Sequence, residues 1–146
     1  MEAVHPYLTF HGNCEVAFEF YKQVFGGEFT YLGRFSDIPP GQGMEVPESE
    51  KDKIMHVSLP LGKNTILMGS DAGGDWGKQV KMGNNMALSI TAESKEEADR
   101  IFDALAKGGE VIMPMGDVFW GSYYGMCKDK YGISWMISYG QETNNQ

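Results

Sequence analysis

Two cysteines in 146 residues, Cys14 and Cys127, cannot build a disulfide framework. A reducing setting is expected. No apolar run approaches the ~20 residues that a membrane-spanning helix needs, so no membrane partner is expected. Cations are scarce. Twelve Lys and Arg against twenty Asp and Glu leave a net charge of −8. A nucleic-acid backbone is therefore not an expected partner, because phosphate contacts come from Lys and Arg. The opening MEAVHPYL has no basic segment followed by an apolar one. No secretory signal is expected, and the cytoplasm is the predicted location. The chain also lacks a glycine-rich dinucleotide fingerprint, and nothing in it resembles a Ser-His-Asp set. What is present is ordinary for a globular protein: 42% hydrophobic and 22% charged residues. Residues 1–146 read as a single domain with room for a core. Ten methionines serve as core filler or as an adaptable pocket lining.

The chain repeats itself. Leu8 to Glu28, LTFHGNCEVAFEFYKQVFGGE, is answered by Leu88 to Glu110, LSITAESKEEADRIFDALAKGGE. Gly26-Gly27-Glu28 matches Gly108-Gly109-Glu110, and the offset drifts from 80 to 82 (88 − 8 and 110 − 28). An apolar run, a polar cap, an amphipathic helix and a glycine stop recur in one order. Such internal similarity must be read before anything else. It implies two modules, 1–72 and 84–140.

Alternation over Tyr7 to Phe10 predicts a strand with His5, Tyr7 and Thr9 on one face and Leu8 and Phe10 on the other. Asn13 is the expected cap of a helix whose stripe is Val16, Ala17, Phe20, Tyr21 and Val24. Gly26-Gly27 ends it. Phe29 to Phe35 reads as a strand. Ser36 to Lys53, with three prolines, reads as a long loop, either a lid or a disordered insertion, and its end from Glu45 as a solvated charge run. Ile54 to Leu61 and Thr65 to Met68 form a hairpin, with His56 in phase with Ile54 and Ser58. Asp71 to Gly83 connects the halves. The second half reads as a strand at Met86 to Thr91 and a helix capped by Ser94, with Glu97 completing a capping box. Strands follow at Val111 to Met113, Gly121 to Lys128 and Ile133 to Tyr139, and a frayed tail starts at Gln141. Each half is thus βαβββ. The fold class is α+β, two such modules forming a concave mixed sheet with the helices outside.

Three stretches carry a family likeness. They are PYLTFHGNCEVAFEFYKQVFGGE, then His56 with Met68-Gly69-Ser70-Asp71, then Phe119-Trp120 followed by Asp129-Lys130-Tyr131-Gly132-Ile133-Ser134-Trp135-Met136-Ile137. They resemble the PhnB-like branch of the vicinal oxygen chelate superfamily, which includes glyoxalase I, bleomycin resistance proteins and extradiol dioxygenases. The last stretch is the most specific, and the likeness covers nearly the whole chain. The resemblance implies a cleft for a small molecule and a homodimer.

It also raises the question of a metal. Catalytic members hold a divalent ion with His and Glu or Gln from the first and last strands of each module. Here those positions carry His5, Asn85, Leu67 or Met68, and Met136. One donor of four does not make a site, so no cofactor is predicted. His5 and His56 remain the two candidates for a divalent metal in a non-standard arrangement. His56 is also the candidate catalytic residue, because an imidazole can serve as general base or donor; otherwise it is a tied core histidine. His11 falls in a solvated turn. The predicted ligand-binding residues are His5, Tyr7, His56, Phe119, Trp120, Tyr124 and Met136. The aromatic cluster Phe119, Trp120, Tyr123, Tyr124 and Trp135 either lines a pocket or packs a core and an interface. Arg34 is read as a partner for an anion or as an edge residue. Cys14 opens a helix, where a thiolate would be favoured, but no base accompanies it. The expected function is metal-free small-molecule binding. The alternatives are a lyase, isomerase or dioxygenase around His5 and His56, and an interaction module without a ligand.

Overall fold

The structure, a computed structural model, describes residues 1–42 and 46–140. The tail from Gln141 and part of the 36–53 loop, Glu45 among it, therefore lie outside the described residues. The chain forms two compact units, Met1–Lys81 and Met82–Gln146. The first holds β1 (Tyr7–Phe10), α1 (Cys14–Phe25), β2 (Tyr31–Arg34), β3 (Ile54–Leu61) and β4 (Thr65–Asp71). The second holds β5 (Leu88–Thr91), α2 (Lys95–Ala106), β6 (Glu110–Asp117), β7 (Tyr123–Lys128) and β8 (Ser134–Tyr139). The strand orders are β1-β4-β3-β2 and β5-β8-β7-β6. In each sheet the first pair is parallel and the rest antiparallel. The repeat in the sequence is thus a repeat of topology. Among the described residues no helix is long and apolar enough to cross a membrane.

In the first unit α1 packs on β3 and β4. Its buried stripe is Cys14, Ala17, Phe18, Tyr21 and Val24. This corrects the expected phase: Val16 is exposed and Phe20 half-buried, and Phe18 takes the central place. Phe18 meets Phe10 of β1 edge-on at 6.2 Å and Tyr21 at 5.5 Å. Gly69 makes this seat. A Cβ there would lie 2.6 Å from the Phe18 ring.

The start of α1 is capped from far away. Asn13 precedes the helix, but its side chain makes no capping bond. The buried Asp71 carboxylate at the end of β4 does the work. Its Oδ1 accepts from the backbone N–H of Gly12 (2.9 Å) and of Cys14 (3.0 Å), and its Oδ2 from Ile54 N–H (2.9 Å). One carboxylate thus ties β1, α1, β3 and β4 together. The 36–53 segment carries short 3-10 turns at Phe35–Asp37 and Glu48–Glu50, with Phe35 buried.

In the second unit α2 packs on β6, β7 and β8 through Ala98, Ile101, Phe102 and Leu105. Ser94 Oγ accepts from Glu97 N–H as expected (3.0 Å), but Glu97 returns its bond to Glu93 N–H (2.8 Å), one residue before the cap. The stretch Asp129 to Trp135 is a self-tied turn. Asp129 Oδ1 accepts from Tyr131 and Ile133 N–H (2.8 and 3.1 Å), and Oδ2 from the Trp135 indole (2.8 Å). Gly132 sits at φ +93°, a backbone that favours glycine. Strand bounds differ modestly from the expected ones. β2 stops at Arg34, and β4 runs on to Asp71. β6 extends through Pro114 to Asp117, which a sheet edge tolerates.

Candidate functional site

Each sheet has one face under its helix and one without. The second face of the first sheet follows from the register. Tyr7 lies opposite Met68, Met68 opposite Ser58, and Ser58 opposite Tyr31. Those four side chains form a row across four strands. His56 lies one step along, opposite Gly33. A bulge between Gly33 and Arg34 shifts the β2–β3 pairing. Ile54 is therefore buried with the core, while His56 and Ser58 share the other face, so Ile54 is not in phase with His56 as alternation implied.

The rings converge on His56. Tyr7 lies at 5.5 Å and Tyr31 at 5.8 Å between centroids. Tyr31 reaches His56 by lying over Gly33, where a Cβ would come within 2.6 Å of its hydroxyl. The Tyr7 hydroxyl is 3.2 Å from His56 Nδ1, and Ser58 Oγ is 2.9 Å from His56 Nε2. Both imidazole nitrogens are engaged with hydroxyls. Tyr7 and Tyr31 remain about half exposed (47% and 49%), so a ligand can reach the patch. No Asp, Glu, Lys or Arg stands among Tyr7, Thr9, Tyr31, His56, Ser58 and Met68. The patch offers ring faces, a thioether and neutral hydrogen-bonding groups.

The expected residues fall into separate places. Tyr7 and His56 meet. His5 does not join them in bonding, because its Nδ1 accepts from Ile66 N–H (3.0 Å) and extends the β1–β4 edge. That bond leaves Nε2 with the proton of a neutral ring. The other four expected residues belong to the second unit. Phe119 is almost fully exposed and edge-on to Trp120 at 4.9 Å, and Trp120 meets Tyr124 at 5.9 Å. Burial raises the Tyr124 hydroxyl pKa. Met136 lies opposite Met126, the next row along from Tyr124 and Ser138. Tyr123 and Trp135 leave the cluster. Tyr123 bonds Asp99 of α2 (2.5 Å), which raises its pKa; Trp135 is buried on Asp129. Ser58 and Tyr31 join the candidate patch without standing among the expected ligand-binding residues. The signal for Ser58 was its two-residue spacing from His56; for Tyr31 it was the cross-strand register, which a single sequence does not show.

The donor set at the superfamily's metal positions does not fit a metal. His5 has its Nδ1 lone pair on a backbone N–H, Asn85 is a weak donor, and Leu67, Met68 and Met136 offer no oxygen or imidazole. Among the described residues no three His, Cys, Asp or Glu side chains group as a metal centre requires.

A hollow elsewhere in the first unit, a cavity of about 590 Å³, is lined by His11, Asn13, Phe35, Glu50, Lys53 and Asp71 among others. Its polar walls are tied to the backbone. His11 Nε2 lies 2.9 Å from Val80 O, Lys53 Nζ donates to Gly12 O (3.0 Å), and Glu50 accepts from Gly74 N–H (3.1 Å). His11 is exposed, as expected of a turn residue, and is anchored through its contact with Val80.

Arg34 is committed as well. Its two guanidinium nitrogens donate to the two Glu15 oxygens at 2.9 and 2.8 Å, which makes it a helix tether on the edge strand. That fork holds the Glu15 pKa below its usual 4.5. A lowered carboxylate pKa contributes stability above the unfolded value, and the contribution is lost as pH falls through the folded one. The pair is partly exposed, so it is worth at most about 1 kcal/mol. The expected result is that Arg34→Met flattens the loss of stability just below pH 4.5 in urea titrations, and leaves the neutral-pH slope with pH unchanged. Both cysteines are buried. Burial and the Asp71 carboxylate raise the Cys14 pKa, and burial with Asp129 pushes Cys127 up to about 11.

The comparisons with known proteins agree with this architecture. The family model for 3-demethylubiquinone-9 3-methyltransferase matches residues 2–138. The chain belongs to this PhnB-like family. It is 31% identical to Protein YjdN of Escherichia coli over 97% of both chains. The solved protein PA1353 from Pseudomonas aeruginosa superposes with a TM-score of 0.79 at 38% identity, covering 94% of this chain and 97% of that one. A PhnB protein from Bacillus cereus superposes at 0.70 with 26% identity, over 94% and 98%. A glyoxalase/bleomycin resistance protein/dioxygenase family enzyme from Burkholderia phytofirmans shares the fold at 0.61 and 18% identity, over 95% and 100%. The PhnB-like protein thus shares the fold of a glyoxalase/bleomycin resistance/dioxygenase family enzyme. The family's methyltransferase description has no counterpart in this chain's motifs, which lack a glycine-rich nucleotide loop. The Asp129–Trp135 stretch has a structural reason in the carboxylate that ties its turn.

Proposed function

We propose that this PhnB-like protein binds a small, uncharged, planar organic molecule on the helix-free face of its first sheet, without the metal set of the catalytic superfamily members. The observation that carries the reading is the aromatic patch in which Tyr7 and Tyr31 flank His56. Ring faces and the Met68 thioether favour a flat apolar body. Ser58, His56 and the tyrosine hydroxyls favour a polar oxygen on it. A charged ligand would lose its hydration here with no ion to replace it. The competing reading, a metal-dependent lyase, isomerase or dioxygenase around His5 and His56, needs lone pairs that both rings spend on other bonds.

The reading includes a homodimer in a cytoplasmic setting. Edge strand β6 exposes Val111, Ile112 and Met113, and the next loop exposes Phe119. A second copy covering them would bury the apolar surface that a lone edge strand leaves open.

Thermal shift tests the ligand claim. Neutral bicyclic phenols such as 2-naphthol are expected to raise the Tm of the wild type, and to bind about tenfold more weakly to Tyr31→Ala, which loses one ring wall. Elemental analysis of the untagged protein tests the competing one. A stoichiometric transition metal that disappears in His56→Ala would overturn the proposal.

A further inference from the structure

The hydrogen-bonded array at the centre of the patch has the layout of an activated nucleophile. Ser58 Oγ lies 2.9 Å from His56 Nε2, and His56 Nδ1 lies 3.2 Å from the Tyr7 hydroxyl. A hydroxyl, a base and a third group that orients the base are the signature of nucleophilic catalysis. The order of residues and the Tyr in the third place make it unlike a Ser-His-Asp set in sequence, because Tyr7 arrives from a strand that does not neighbour β3. Ser58 and His56 are half-buried at positions i and i+2 of one strand, so the strand itself fixes their separation. Tyr31, laid over Gly33 opposite His56, adds a phenolic donor to the same patch.

We propose that Ser58 is a nucleophile, His56 its general base and Tyr7 the positioning residue, and that the site accepts an acyl group from an activated carboxylic ester. The inference rests on the reading of this face as a small-molecule site. In the Nδ1–H tautomer, His56 donates to the Tyr7 oxygen and accepts the Ser58 proton at Nε2. Ser58 Oγ attacks the ester carbonyl carbon as that proton moves to Nε2. The tetrahedral oxyanion then collapses, the bond to the leaving oxygen breaks, and an acyl-Ser58 and a free phenolate result. The proton on His56 passes to water. A later water then attacks the acyl carbon as its proton moves to His56 Nε2; the bond from that carbon to Ser58 Oγ breaks, a carboxylic acid leaves, and the His56 proton returns to Oγ. No oxidant, reductant or metal enters the balance.

The test uses p-nitrophenyl acetate with the full-length protein. The expected result is a stoichiometric burst of p-nitrophenolate and an acetyl group mapped by mass spectrometry to Ser58. Ser58→Ala is expected to abolish the adduct, and His56→Ala to slow acylation about 100-fold, the ordinary size of a general-base effect. Tyr7→Phe is expected to keep the adduct while shifting the pH midpoint of its rate. The 2-naphthol thermal shift on the wild type separates the two ideas. Wild-type binding together with an adduct on Ser58 supports both. Binding by the wild type with no adduct, or with acetyl on lysines or Tyr7 in place of Ser58, overturns the nucleophile and leaves the binding reading standing. Absence of 2-naphthol binding by the wild type overturns the underlying reading itself.

Discussion

Asp71→Ala is expected to lower the unfolding free energy by about 3–5 kcal/mol. The carboxylate accepts three backbone N–H groups from three places in the first unit: the turn before α1, the first residue of α1 and the first residue of β3. Its side chain is buried, so water does not replace it. Alanine would orphan Gly12 N–H, Cys14 N–H and Ile54 N–H together. Each unsatisfied buried donor costs about 1–3 kcal/mol, and bonds to a charged acceptor are the stronger kind. Asp71→Asn keeps one acceptor oxygen and should cost clearly less. Urea unfolding of both variants gives the comparison, with an unchanged m-value as the check that the folded state is the same. A cost below about 1 kcal/mol for the alanine variant would mean that Asn13 or water takes over the cap.

Asp129→Ala is expected to cost about 2–4 kcal/mol, and to do so through the second unit. The mechanism differs from that at Asp71, because the bonds are local. Tyr131 and Ile133 N–H shape the turn that carries Gly132, and the Trp135 indole fixes the buried tryptophan under α2. Trp135→Phe removes the indole donor while keeping a ring in the core. It should cost less than Asp129→Ala, since the two turn bonds survive. Thermal unfolding with near-UV circular dichroism reads both effects. The aromatic signal of Trp135 should weaken in Asp129→Ala even below its Tm. An unchanged signal would show that packing alone holds the indole.

Much of the fold is legible in the sequence, because its two halves repeat the same local chemistry. Gly26-Gly27 and Gly108-Gly109 stop the two helices, Ser94 caps α2, and the β3 bounds follow from alternation and the Gly62 turn. Long-range facts are not legible. Asn13 has the chemistry of a cap, but Asp71, 57 residues beyond Cys14, holds the position. The bulge opposite Arg34 breaks simple alternation and buries Ile54. The α1 stripe is centred on Phe18, whose ring lies where a Cβ on Gly69 would stand, while Val16 is exposed. The site was half legible. Tyr7 and His56 both stand among the expected ligand-binding residues, and the structure brings their side chains together. Tyr31 and Ser58 join them through register, and register depends on pairing partners that no local pattern names. His5 looked like a ligand from its place on β1, and its Nδ1 turned out to serve the Ile66 N–H.

The chain has three histidines, which makes imidazole NMR the most direct test of the central claim. His5 and His11 are bonded to backbone groups outside the patch and serve as internal controls. With 2-naphthol added to ¹⁵N-labelled protein, the account predicts that the His56 ring nitrogens shift in a saturable way while those of His5 and His11 stay in place. Saturable shifts at His5 or His11 with His56 unmoved would contradict it and place the ligand away from the tyrosine-flanked face.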